Sequence, residues 1–267
     1  MKKAGGEHAV KTDACAVPEA EIIRSELRSV SDPEKAEFLP RFFKTGPGQY
    51  GEGDKFLGVT VPKIRKVAAA HTGAVQTDIL TLLYSEYHEE RMAALTILIA
   101  QYKRGNESEK EEIFQLYLAH TNRINNWDLV DLSAPHIVGA HLFGKRASVL
   151  TKLAESSDLW ERRIAILATH YFIRRGESRE TLRIAKKLLN DSHDLIHKAV
   201  GWMLREVGKY CSIEEECVFL DAYAAVMPRT MLRYAIERFP AYLRERYMKI
   251  IPQGKLPSNQ SRSRAVQ

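Results

Sequence analysis

Arg91-Met92-Ala93-Ala94-Leu95 and Arg163-Ile164-Ala165-Ile166-Leu167 are two versions of one phrase, each running on through apolar residues to a basic-Gly pair, Arg104-Gly105 and Arg175-Gly176. Trp127-Asp128-Leu129-Val130-Asp131, Lys198-Ala199-Val200-Gly201-Trp202 and Arg233-Tyr234-Ala235-Ile236-Glu237 fall on the same register. The phrases begin at positions 91, 127, 163, 198 and 233, an interval of 35 or 36 residues. Two helices per interval of this length are the signature of an α-solenoid, in which each unit buries its apolar face only against its neighbours.

Around these phrases the sequence is helical almost throughout. Three-to-four-residue apolar periodicity runs from His88 to Lys103, Leu159 to Arg174 and His193 to Lys209. Ser85, Asn125, Ser157 and Asp191 or Ser192 stand where N-caps belong, and Gly105, Gly144 and Gly176 where helices stop. Two-residue alternation and Asn-Gly or Asp-Gly hairpin turns are missing, which argues against a sheet. Lys44 to Asp54 (KTGPGQYGEGD) is too rich in Gly to hold a helix and reads as a surface loop. The expected organisation is a flexible segment 1–15, a single repeat domain 16–251 and a disordered tail 252–267.

The chain of 267 residues carries 40 Lys+Arg against 34 Asp+Glu, a formal charge of +6 that favours a polyanionic partner. Cys15, Cys211 and Cys217 form neither a disulfide framework nor a metal-type pair. No apolar run reaches the roughly 20 residues of a membrane span, and residues 1–14 lack the apolar core of a secretory leader. A cytoplasmic, nucleoid-associated location is therefore expected.

In a solenoid, equivalent helix positions line up across one face. The first position of the phrase holds Arg91, Trp127, Arg163, Lys198 and Arg233; the fifth holds Leu95, Asp131, Leu167, Trp202 and Glu237. Residues four apart share a helix face, so both rows are expected to line one groove suited to a phosphate backbone. Trp127 and Asp131 project together, and Trp202 with Arg205 beyond it joins them from a later repeat. Trp160 lies off the register and reads as packing. His193 and His197 are four apart but lack the glutamate and third ligand of a zinc site, so no metal and no cofactor are expected.

Trp127-Asp-x-Val-Asp131, Trp160-x-x-Arg-x-Ala-Ile-Leu167 and Lys198-Ala-x-Gly-Trp-x-Leu-Arg-Glu206, with Asp32 to Glu37 and Phe56 to Val59, resemble the AlkD family of DNA alkylation-repair glycosylases from about Ser29 to Ala241. The resemblance implies a right-handed, armadillo-type superhelix of HEAT-like repeats with a concave basic cleft for duplex DNA. It implies hydrolysis of the N-glycosidic bond of cationic N3- or N7-alkylated purines without extrusion of the lesion. Asp131 matches the family's catalytic carboxylate, Trp127 and Trp202 its two indoles, and Arg163 its backbone-contacting arginine. Arg91, Lys198, Arg205 and Arg233 complete the expected DNA-binding set. Two features depart from the family's best-known members: Asn126 replaces a second Trp, and the Gly-rich loop is longer.

The expected partner is double-stranded DNA with alkylated bases, read by a monomer without an obligate protein partner. A non-enzymatic binder of damaged or branched DNA is the alternative, and a protein-interaction scaffold the third reading.

Overall fold

A computed structural model describes residues 17–253. The expected N-terminal segment lies outside these residues, as does the expected tail apart from Pro252 and Gln253. The helices, in chain order, are α1 (Glu19–Ser29), α2 (Pro33–Phe42), α3 (Val61–Ala70), α4 (Gln76–Leu83), α5 (His88–Arg104) and α6 (Glu107–Ala119). Next come α7 (Trp127–Ser133), a π-helical turn (Pro135–Gly139) and α8 (Ala140–Leu142), which together form one bent unit. The chain continues as α9 (Ser148–Ala154), α10 (Leu159–Ala168), α11 (His170–Ile173), α12 (Arg179–Lys187), α13 (Asp194–Tyr210), α14 (Ile213–Tyr223), α15 (Arg229–Ala235) and α16 (Ala241–Met248). The fold is all-α: among the described residues, strand pairing is limited to an isolated bridge between Lys55 and Tyr87.

The five repeated phrases lie on α5, α7, α10, α13 and α15, the last running on into a 3-10 turn at Ile236–Arg238, and each of these helices packs on the next. Helices α4, α6, α9, α12 and α14 form a second row that covers this ladder. The 35-residue interval is thus one rung: a ladder helix and its cover. Asn126, Asp158 and His193 cap α7, α10 and α13, each one or two residues from the expected cap. Gly144 and Gly176 adopt positive φ, +73° and +79°, at the expected stops.

Two glycines set how closely the rungs approach. A Cβ on Gly139 would lie 2.1 Å from the Ala168 carbonyl oxygen, and one on Gly201 would lie 2.4 Å from that of Met231. Each contact joins consecutive ladder units, so a methyl group at either position must push two rungs apart.

The Gly-rich loop is not wholly a surface feature. It ends in buried Asp54, and the chain then passes over the start of α5. There Glu89 accepts the backbone N–H groups of Leu57, Gly58 and Val59 at 3.0, 2.8 and 3.2 Å. Gly58 has φ +78°, and its missing Cβ leaves room for the Asp32 carbonyl.

We expect Gly201→Ala to destabilise the protein by about 1–3 kcal/mol through overpacking, read as a lower denaturation midpoint. An unchanged midpoint would show that α13 and α15 are not held at this separation.

Candidate active site

Helix α7 starts at an Asn126 cap whose side-chain oxygen accepts the Trp127 N–H at 2.8 Å. Trp127 and Asp131 stand one turn apart, both partly exposed, while Leu129 and Val130 face the core. Asp131 is gripped by Arg163 of α10: Nε donates to Oδ1 and Nη2 to Oδ2, both at 2.8 Å. The remaining arm of the guanidinium, Nη1, donates to the Leu195 carbonyl of α13 at 2.7 Å. Burial pushes the Asp131 carboxyl above the ordinary aspartate range, against the downward pull of Arg163. The pair therefore fixes the orientation of an acid that stays partly exposed.

Trp127 is held by aromatic neighbours and by the Gly-rich loop. The Phe43 ring stacks on it with centroids 5.5 Å apart, Phe42 meets it edge-on at 5.9 Å, and the Tyr50 hydroxyl of the Gly-rich loop lies close by. Behind it lies a charged network. His88 bonds Asp128 through Nε2 at 2.8 Å and Asp54 through Nδ1 at 3.3 Å, and Asp54 also accepts from Arg91 at 2.6 Å and Asn126 at 3.3 Å. Burial opposes charge on His88, but Asp128 and Asp54 outweigh it and push the imidazole up to about 9. Burial likewise opposes charge on Asp54, yet His88, Arg91 and Asn126 hold its carboxyl below the usual range.

Asp131 lies where two cavities meet. One, of about 520 Å³, is lined by Phe42, Phe43, Phe56, Trp127, Asp128 and Asp131 among others. The other, of about 770 Å³, is lined by Asp131, Trp202, His136, His170 and a set of cations, Lys103, Lys145, Arg174 and Arg175. Trp202 stands beside His170, and its indole N–H donates to Glu206 at 3.2 Å. The acid and the two indoles thus belong to adjoining spaces, one indole to each.

The expected DNA-contacting row needs correction. Arg91 is 1% exposed and spends its charge on Asp54. Arg163, 5% exposed, is committed to Asp131 and Leu195 and is buried away from a phosphate. Arg205 is paired with Glu237 and Glu206. Arg233 is exposed but lines neither cavity of Asp131. Lys198 keeps only a surface pair with Asp194 at 2.7 Å, which is weak enough to exchange for a phosphate. The reason is visible in the same register: Leu95 and Leu167 are buried, so Arg91 and Arg163, on the same faces of their helices, are buried too.

The exposed cations sit instead at helix ends: Lys103 in the last turn of α5, Lys145 after Gly144, and Arg174 and Arg175 just after α11. Arg175 lies over the Tyr171 ring at 3.3 Å and Arg174 over Tyr210 at 4.1 Å. The signal was present in the basic-Gly pairs that close the repeats. Trp160 is buried, as its off-register position predicts. His193 caps α13 and His197 bonds the Asp191 carbonyl.

Two outcomes follow from these buried charges. Arg163→Met strands the Asp131 carboxylate and should cost about 3–5 kcal/mol, seen in equilibrium unfolding; a loss within error would show that the pair is not structural. The His88 pKa is raised above its unfolded value of about 6.5, so its stabilisation is complete below that pH and is lost as pH rises through about 9. His88→Gln should therefore flatten the fall in melting temperature across that window, and an unaltered slope would exclude His88 as its source.

A family model described as DNA alkylation repair enzyme matches residues 23–239. No curated protein sequence gives a significant match. Among solved structures, a predicted DNA alkylation repair enzyme from Enterococcus faecalis superposes with a TM-score of 0.61 at 14% identity, over 79% of this chain and 97% of that one. AlkD2 from Streptococcus mutans superposes with a TM-score of 0.52 at 16% identity, over 83% and 98%. At these identities the structures speak for the shared all-helical fold, and the family model, spanning most of the sequence, carries the assignment: the chain belongs to the family of DNA alkylation repair enzymes.

Proposed function

We propose that the protein is a monofunctional DNA N-glycosylase that releases cationic N3- or N7-alkylated purines from duplex DNA. The observation that carries this reading is the place of Asp131: a fixed carboxyl between an aromatic cavity and a basic one, with Trp127 lining the first and Trp202 the second. Helix-end cations suit the phosphates of the backbone, and indole faces suit a positively charged base.

The chemistry needs little more than this. An alkylated purine cation leaves with the electrons of the C1′–N bond and becomes neutral, so it requires no strong acid. Positive charge then develops on the deoxyribose, as in other glycoside cleavages. The Asp131 carboxylate stabilises that charge and orients a water whose oxygen bonds to C1′, while the released proton passes to solvent. Arg163 acts as a positioning residue: by bonding both carboxylate oxygens it keeps the acid from turning. The product is a free base and an abasic site in an intact strand.

One observation favours a second reading. A carboxylate bonded on both oxygens by a buried arginine also suits a purely structural acid, as a non-enzymatic binder of damaged or branched DNA would have. Release of N7-methylguanine from a single-lesion duplex separates the two. The glycosylase reading expects release by the natural chain and none by Asp131→Asn, with salt-sensitive duplex binding retained by both. Binding without release by the natural chain would select the second reading.

The pH dependence has a defined sign. Activity requires ionised Asp131 and is lost as pH falls through its pKa. Because burial raises that pKa, the acid limb, corrected for spontaneous depurination, should lie above about 3.9, the ordinary aspartate value. A limb at or below that value would count against Asp131.

A further inference from the structure

Trp202 differs from Trp127 in what meets its ring. Trp127 is packed against the rings of Phe42 and Phe43. Trp202 directs its indole N–H at a carboxylate: Glu206, one turn further along α13, accepts it through Oε1 at 3.2 Å. Glu206 is 6% exposed and lines neither cavity of Asp131, so it stands behind the ring. Arg205 reaches the same oxygen at 3.3 Å, a long contact, and pairs also with Glu237. One guanidinium is thus shared by two carboxylates. Buried Glu216 of α14 is pushed up to about 9 by burial, against the pull of Arg205, and adds no charge at neutral pH. His170, whose ring lies 6.0 Å from the indole, is held below the ordinary histidine range by burial, against Glu206, and adds none either.

The wall behind Trp202 therefore carries an excess of negative charge, in a cavity whose cations include Lys103, Lys145, Arg174 and Arg175. Those cations suit phosphates, but they oppose any positive charge that forms among them. A cationic purine and the sugar it leaves need a wall of the opposite sign. A hydrogen bond to an anion polarises its donor. An indole bonded in this way is richer in π electrons, and its face holds a cation more strongly. Being buried, Glu206 has this effect without meeting a phosphate itself.

We propose that Glu206 is a positioning residue for excision: its carboxylate fixes the Trp202 ring through the indole N–H and strengthens the attraction of that ring for the positive charge of the lesion nucleotide. This deepens the glycosylase reading and rests on it. The two acids divide the work, Asp131 meeting the sugar directly and Glu206 acting through the indole. The spacing of the pair serves the same end. Residues four apart share a helix face, so the acid is carried with its ring wherever α13 is placed.

The test is single-turnover excision of N7-methylguanine from a single-lesion duplex, by the natural chain and by Glu206→Gln, over a range of protein concentrations. Glutamine keeps the size of the side chain and an oxygen for the indole N–H while removing the charge, and Arg205 keeps Glu237. The maximal rate should fall about tenfold, the scale of one desolvated cation–π contact. Affinity for undamaged duplex should not fall, because losing an acid does not weaken the attraction for a polyanion. The Trp202 indole N–H resonance, assigned by its disappearance in Trp202→Phe, should move upfield as its acceptor becomes neutral. A maximal rate equal to that of the natural chain overturns the role of Glu206. So does an unmoved resonance, or a fall in rate matched by an equal fall in affinity for undamaged duplex. Asp131→Asn is scored in the same assay: release abolished by that variant but untouched by Glu206→Gln leaves the glycosylase standing without this role, and no release by the natural chain overturns both.

Discussion

The guanidinium of Arg163 ties three successive rungs of the ladder together. It leaves α10, bonds both oxygens of Asp131 on α7, and reaches the Leu195 carbonyl on α13. A buried arginine is tolerable only when its charge is matched and its N–H groups are used, and here the matching partner is the acid of the candidate site. Stability and chemistry are therefore joined at one contact. The carboxyl group is fixed because the fold cannot leave Arg163 unpaired, and the stacking of α7, α10 and α13 keeps it at the junction of two cavities.

A second set of buried charges does for Trp127 what Arg163 does for Asp131. Asp54, at the end of the Gly-rich loop, satisfies Arg91, His88 and Asn126 together, and His88 in turn holds Asp128. The same loop brings Tyr50 close to the indole. Asn126 thus has a local reason, since it caps α7 and bonds the loop at once, which a tryptophan in that position could not do. The loop's length gives it the reach to cross from α2 to the start of α5 and close the aromatic wall.

The distribution of cations follows from helix electrostatics and burial. The ladder helices present their middles to one another, and charged groups there must be paired, as Arg91 and Arg163 are. The ends of the helices are exposed and carry partial negative charge at their C-termini. Lysine and arginine are at home there, and Lys103, Lys145, Arg174 and Arg175 remain beside the cavity for a polyanion. The two arginines lie over tyrosine rings, Arg174 on Tyr210 and Arg175 on Tyr171, which helps to orient them.

What the sequence by itself determined was the periodic part of the problem. The interval of 35 or 36 residues, the apolar repeat of about three and a half and the Gly stops are local signals, and they led to the all-helical ladder and to which helices stack. They also singled out Trp127, Asp131 and Trp202, because chemically unusual residues at equivalent positions of a repeat stand out against the aliphatic norm. What only the tertiary structure decided was which side of each helix meets solvent. Arg91 and Arg163 look like groove cations in the register and prove to be buried partners of Asp54 and Asp131. Their partners lie 37 and 32 residues away, and no local pattern encodes such pairing. The role of the Gly-rich loop was likewise invisible, since it depends on where Tyr50 and Asp54 come to rest after the ladder has formed. Periodicity is a property of neighbours along the chain, whereas burial and charge pairing belong to neighbours in space.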